Sequence, residues 1–170
     1  MNTRTFALLL LSVLGLTGCA GYRLGGQKPA HLVRISKLAV PTFENLSLEP
    51  RLGPLLTNAV IKQIQLGGAY QIVSEADAEA VLVGKITRIR RSQFRSDRDN
   101  VLRTSQLLLT LSTEYTVRDK PGGAIIHRGV VSADSYTVLD DNVQNSEAQA
   151  LEDAAQRLAA NLASDLSEGW

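Results

Sequence analysis

Apolar positions recur with a helical spacing in two stretches of the chain. Between Leu52 and Ile64, and again between Leu151 and Leu166, aliphatic residues return every three or four positions, which is the spacing of one buried helix face. Gly67-Gly68 closes the first stretch. Ser146-Glu147-Ala148-Gln149 precedes the second and matches a capping box, which places the start of that helix at Ser146. The pattern therefore predicts two amphipathic helices.

Other segments have the residue types and the alternation of β-strands. The predicted strands are Lys37–Pro41, Ala80–Ile89, a cleanly alternating strand from Val101 to Val117, and Ala124–Val138, with a short extended piece at Tyr70–Val73. Asp119–Gly123 is rich in turn-forming residues and joins the last two strands. Residues 80–138 are thus expected to form an antiparallel meander.

The order strand, helix, three strands, helix predicts an α+β fold. Two amphipathic helices need an apolar surface, and one face of a sheet can serve both. We therefore expect a two-layer sandwich of a mostly antiparallel four-stranded sheet with both helices on one face (β-α-β-β-β-α). The other sheet face would be uncovered, and it would carry polar, hydroxyl-rich side chains: Gln106, Thr110, Ser112, Glu114 and Thr116.

The N-terminus has the three zones of a bacterial lipoprotein signal peptide. Arg4 is basic, Phe6–Leu16 is mostly apolar but only about half of the ~20 residues that span a bilayer, and Leu16-Thr17-Gly18-Cys19 resembles the lipobox. The alternative is an ordinary secretory peptide with an incidental cysteine. We expect residues 1–18 to be removed and Cys19 to carry the lipid.

The mature chain is then expected to be a lipid-anchored protein of the outer membrane. Inner-membrane lipoproteins often carry Asp just after the cysteine, whereas this chain has Ala20-Gly21. The glycine-rich residues 19–30 are predicted to be a flexible tether, and residues 31–170 a single periplasmic α+β domain. Since Cys19 is the only cysteine, no disulfide is available to the domain.

Charge and composition argue against an enzyme and against a nucleic-acid-binding protein. Without Arg4, the mature chain has 17 basic and 17 acidic side chains, so it has no overall attraction to nucleic acid. The two histidines, His31 and His127, lie far apart, and no hydrolase, phosphate-loop or metal-binding motif occurs. Asp140-Asp141 lies in a polar stretch typical of a loop. We expect no catalytic activity, no cofactor and no metal site.

An arginine-rich segment is the one concentration of charge. Six arginines fall within 16 residues, opposed only by Asp97 and Asp99, and they are Arg88, Arg90, Arg91, Arg95, Arg98 and Arg103. The guanidinium fork suits phosphate or carboxylate, and Phe94 adds an apolar group. The other interpretation is a charged hairpin end that prevents edge aggregation. In the envelope, the phosphates of a glycolipid are the ligand that this segment would fit.

Five segments resemble the LptE family of lipopolysaccharide-assembly lipoproteins. They are Cys19–Leu24 (CAGYRL), Leu38–Asn45 (LAVPTFEN), Glu49–Leu52 (EPRL), Leu56–Ala59 (LTNA) and Asp77–Ile86 (DAEAVLVGKI). The resemblance implies an outer-membrane lipoprotein that plugs the large β-barrel LptD, assists assembly of that barrel and binds lipopolysaccharide. The alternative is a stand-alone outer-membrane lipoprotein that binds or carries an anionic lipid or another envelope ligand.

Overall fold

Six strands and two helices follow one another in the computed structural model, which describes residues 28–96, 104–120, 122–138 and 143–168. The strands are β1 (Lys37–Ala39), β2 (Glu44–Asn45), β3 (Gln71–Ile72), β4 (Ala80–Ser96), β5 (Thr104–Asp119) and β6 (Ile125–Val138). The helices are α1 (Leu52–Gly67) and α2 (Val143–Glu168). The predicted signal peptide and tether, including Cys19, lie outside the described residues.

All six strands belong to one mixed sheet with the order β3-β1-β4-β5-β6, and β2 pairs with β4. The three long strands form the predicted antiparallel meander, whereas β1 is parallel to β3 and β4, and β2 is parallel to β4. The α+β class is confirmed, but the prediction of four mostly antiparallel strands was wrong in this detail. Strands of two residues, such as β2 and β3, are too short to show alternation, so only their pairing partners reveal them.

Helix α1 follows the predicted stripe. Leu52, Leu56, Val60 and Ile64 lie four residues apart and are buried. Gly68 has φ 65°, a left-handed conformation that glycine adopts without strain, and its N–H donates to the carbonyls of Ile64 and Gln65. The predicted end of this helix is therefore confirmed.

Helix α2 packs against α1, β5 and β6 and begins earlier than predicted. It starts at Val143, so Ser146 lies inside the helix and the predicted capping box does not mark its N-terminus. The side chain of Glu147 instead pairs with Arg91 of β4. The buried face of α2 combines leucines with small residues that allow close packing, namely Ala150, Ala154, Ala155, Leu158, Ala159, Leu162 and Leu166.

The centre of the sheet is built on one cross-strand row of a tyrosine between two glycines. Gly84 of β4 and Gly129 of β6 lie opposite Tyr115 of β5. A Cβ added at Gly84 would lie 2.3 Å from the ring of Phe43, and one at Gly129 would lie 2.7 Å from the Tyr115 hydroxyl oxygen. The absent side chains thus make room for two aromatic rings, both almost fully buried.

The Tyr115 hydroxyl ends a hydrogen-bonded chain that reaches the N-terminal segment. It donates to Oδ2 of Asp165 on α2 and lies 2.9 Å from Nε2 of His127, whose Nδ1 is 3.0 Å from Nε2 of His31. Since the single hydroxyl proton goes to Asp165, His127 Nε2–H donates to the hydroxyl and His31 Nε2–H donates to His127. Two histidines 96 residues apart in the sequence therefore join the start of the domain to the sheet.

The pKa values in this chain favour neutral groups. Burial lowers the pKa of His127, the carboxylate of Asp165 raises it in part, and the nearby His31 lowers it again, so the net direction is down. Burial and the hydrogen bond to Asp165 raise the pKa of Tyr115. The folded protein therefore holds His127 with fewer protons than the unfolded chain does at mildly acidic pH.

We expect Gly84→Ala to lower the free energy of unfolding by about 1–3 kcal/mol, the usual cost of overpacking a core. The added methyl group would meet the Phe43 ring in a fully packed region. Urea denaturation followed by circular dichroism measures the change. Gly67→Ala is the matched control, because nothing lies within 4 Å of its added Cβ. An unchanged midpoint for Gly84→Ala would contradict the packing described here.

We expect the thermal midpoint to fall as pH decreases from 7.5 to 5. The folded-state pKa of His127 is lowered, so stability is present above the unfolded-state pKa, about 6.5, and is lost as pH falls toward the folded-state value. His127→Gln, whose amide N–H can still donate to Tyr115, should make the midpoint less dependent on pH. Differential scanning calorimetry at several pH values checks this, and equal slopes for the two proteins would refute it.

Candidate binding surface on the uncovered sheet face

A β-bulge in β4 decides which arginines face outward. Ile86 pairs with Thr113 and Arg88 pairs with Ser112, so Thr87 is an extra residue and the alternation changes phase. After the bulge, Arg88 and Arg90 lie on the face opposite the helices, and Ile89 lies on the core side beside Leu111. The three-residue step from buried Ile86 to Ile89 is the sequence signal of this bulge.

The uncovered face has the polar character that the alternation of β5 predicts. Thr110, Ser112 and Thr116 are partly accessible and Glu114 is exposed, whereas Leu109, Leu111 and Tyr115 on the other face are buried. The cross-strand partners of Arg88 and Arg90 are Ser112 and Thr110. The two guanidinium groups therefore extend from a hydroxyl-lined surface.

Arg88 and Arg90 are available for an external anion. Both side chains are exposed, and neither has an ion-pair partner within the part of the chain that the structure describes. Exposed arginines bind phosphate through two parallel N–H···O contacts where the geometry allows.

Arg91 lies on the opposite face and has a different environment. Its guanidinium pairs with Glu49 (2.8 Å), just before α1, and with Glu147 in the first turns of α2. Partial burial alone would lower the pKa of Arg91, but the hydrogen bonds to Glu147 and Glu49 raise it further. Arg91 thus joins β4 to both helices, beside an open cleft of about 570 Å³ that Leu55 and Leu151 also line.

The other predicted arginines complete the assignment. Arg95 is exposed, lies opposite Gln106 and already interacts with a neighbouring group. Arg98 and Arg103 lie outside the described residues. The arginines that sequence analysis treated as one cluster are therefore divided between the two faces of the sheet, because alternation and the bulge separate neighbours in sequence.

An aromatic and aliphatic patch lies beside the outward arginines. The rings of Phe94 and Tyr136 have centroids 4.6 Å apart, and their side chains are 49% and 57% exposed. Val138 on the same strand as Tyr136 is 53% exposed. This end of the face therefore combines cations with apolar surface, a combination suited to an amphipathic anion.

Within the described residues, neither helix is long and apolar enough to cross a bilayer. In the same part of the chain, no three or more His, Cys, Asp or Glu side chains are grouped as metal ligands.

Comparison with solved structures gives the fold. A putative lipoprotein from Caulobacter crescentus has a TM-score of 0.51 at 20% identity, over 73% of this chain and 86% of that one. The PelC dodecamer from Paraburkholderia phytofirmans has 0.51 at 16% identity, over 84% and 94%. A putative neuraminyllactose-binding hemagglutinin homologue from Helicobacter pylori has 0.56 at 10% identity, over 87% and 90%.

No curated protein sequence is significantly similar to the chain. A family model described as lipopolysaccharide-assembly matches residues 35–166, which include every strand, helix α1 and nearly all of α2. The chain therefore belongs to the LptE family.

Proposed function

We propose that this protein is a non-enzymatic lipoprotein subunit of the outer-membrane lipopolysaccharide translocon. It sits inside a large β-barrel of the LptD type, assists assembly of that barrel and binds lipopolysaccharide. The observation that carries the proposal is membership of the lipopolysaccharide-assembly family over residues 35–166.

Placement at the outer membrane is part of the same proposal. Residues 1–18 are removed as a signal peptide, Cys19 receives the lipid, and residues 19–30 tether the domain on the periplasmic side. Two or more acyl chains hold a protein stably on a membrane, whereas one chain is marginal.

The uncovered face supports seating against a barrel wall. The lumen of an outer-membrane barrel is polar, and its wall needs hydrogen-bonding groups and mixed charges opposite it. The face supplies hydroxyl groups from Thr110, Ser112 and Thr116, with Glu114 and Arg118 at the same end of β5. Both helices lie on the other side, so docking leaves the core undisturbed.

Lipopolysaccharide binding is assigned to the other end of the same face. Arg88 and Arg90 would contact lipid A phosphates, and the Phe94–Tyr136 pair would contact the apolar part of the ligand. Arg91 is a positioning residue for the helices, because its guanidinium is held by Glu49 and Glu147. Arg95, Arg98 and Arg103 belong to the proposed site by their place in the same segment.

The alternative function is a stand-alone lipoprotein that carries an anionic lipid. The same arginines would serve that function, so capture of a barrel distinguishes the two. We expect the tagged mature lipoprotein, solubilised from outer membranes in mild detergent, to bring down one large β-barrel protein in a stoichiometric complex. Gel electrophoresis and mass spectrometry identify the partner. Recovery of the lipoprotein alone would overturn the translocon proposal in favour of the alternative.

We expect the double variant Arg88→Gln/Arg90→Gln to weaken binding of lipopolysaccharide about tenfold or more, as loss of charge-assisted contacts predicts. The difference from wild type should shrink at high salt, because both groups are exposed. Titration of detergent-solubilised lipopolysaccharide onto the immobilised mature lipoprotein measures the affinity.

Arg118→Gln/Arg128→Gln is the matched control. It removes two exposed arginines from the same face but from the opposite end of the sheet. An equal loss of affinity in both variants would indicate a general charge effect and reject the assigned site. A normal thermal midpoint in each variant shows that the fold is intact.

A further inference from the structure

Strand β6 forms one edge of the sheet and has a neighbour on one side only. The strand order ends at β6, which pairs with β5 over Gln106–Arg118 and with no other strand in the described residues. A long edge strand presents unpaired N–H and C=O groups, which natural proteins protect with proline, lysine, bulges or a covering element.

Two contacts identify which groups of β6 point outward. The Thr87 hydroxyl donates to the Ser112 carbonyl from β4, so the polar backbone groups of Ser112 face β4 and not β6. Its cross-strand partner Ser132 must then direct its own N–H and C=O away from β5. In agreement, the Asn161 amide of α2 reaches the Ser132 carbonyl at 3.0 Å. By alternation, Arg128, Val130, Ser132, Asp134 and Tyr136 all direct their backbone groups outward.

This edge has little protection in its sequence. From His127 to Val138 it contains no proline and no lysine. Val130, Tyr136 and Val138 are 71%, 57% and 53% exposed, so the edge strand carries several large apolar side chains in solvent. The Asn161 contact satisfies one outward carbonyl. The remaining backbone groups require water or an added strand.

Helix α2 leaves a groove along the same edge. An open space of about 370 Å³ lies between Val130–Ser132 on β6 and Asn161, Ser164 and Asp165 on α2. An added strand would direct its alternate side chains into this groove. A second copy of this chain fits poorly, because antiparallel pairing of two β6 strands would bring both α2 helices onto the same face.

We propose that the outer edge of β6 pairs with an extended segment of the barrel partner, which adds a seventh strand to the sheet. The identity of that partner rests on the function proposed above. Main-chain hydrogen bonds supply the affinity in this mode of recognition, and the alternate side chains supply specificity. The segment has an acidic side chain opposite Arg128 and a basic one opposite Asp134, six residues apart, with apolar residues opposite Val130 and Tyr136.

Amide hydrogen exchange of the intact complex tests the pairing. In the free lipoprotein the outward amides of Arg128, Val130, Ser132, Asp134 and Tyr136 should exchange rapidly, and in the complex they should slow by at least about tenfold. Mass spectrometry with fragmentation to single amides gives the rates. The amides of Val131, Ala133 and Ser135, which are bonded to β5, are internal controls and should be slow in both states.

Ser132→Pro provides an independent test. The ring removes an outward N–H and fills the space beside the edge, while the hydrogen bonds between β5 and β6 stay intact. Barrel capture should fall at least about fivefold, because main-chain pairing is interrupted at its centre. Ser132→Ala is the matched control: it loses the hydroxyl, keeps the N–H and should capture barrel normally. Circular dichroism of both variants verifies the fold, and the exchange measurement does not depend on either variant.

The outcomes separate this inference from the function on which it rests. A complex whose outward β6 amides exchange as fast as in the free protein overturns the pairing and leaves the translocon proposal standing. Normal capture by folded Ser132→Pro does the same. If wild-type protein captures no barrel, the translocon proposal and the pairing are both rejected. Protection of the outward amides only when a second copy binds would overturn the assignment to the barrel.

Discussion

The packing of Tyr115 is the constraint on which the rest of the structure depends. Its ring lies between Gly84 and Gly129 in the middle of the sheet, and its hydroxyl bonds Asp165 on α2 and His127 on β6. The long central strand, the C-terminal helix and, through His127, the N-terminal segment therefore meet at one side chain. Glycine on both sides is required because a neighbouring side chain would occupy the volume of the aromatic rings.

Phe43 extends this arrangement to helix α1. Its ring covers Gly84, and its backbone N–H donates to the Thr57 hydroxyl at 2.9 Å, which in turn donates to the Gly53 carbonyl. A single buried layer thus fixes both helices on one face of the sheet. The second face needs no packing of its own, so its side chains are available for a partner, and the proposed functions all lie on that face or along its edge.

The bulge at Thr87 connects packing to function in a different way. Without it, continued alternation would direct Arg88 and Arg90 into the core, where unpaired charges are costly. The extra residue keeps Ile89 buried, turns these arginines outward and directs Arg91 toward Glu49 and Glu147. One local irregularity therefore separates the arginines available for a ligand from the one that supports the helices.

The sequence by itself determined the elements whose apolar periodicity is long: helix α1, the buried stripe of α2, the three-stranded meander and the uncovered polar face of β5. Periodicity reports which side of one element is buried, since that depends only on spacing. Tertiary structure decided whatever depends on a distant partner: the two-residue strands that pair only with β1 or β4, the start of α2 at Val143, the contact between His31 and His127, and the separation of the arginines. These features come from pairing register and from contacts between residues far apart in the chain, which no local pattern contains.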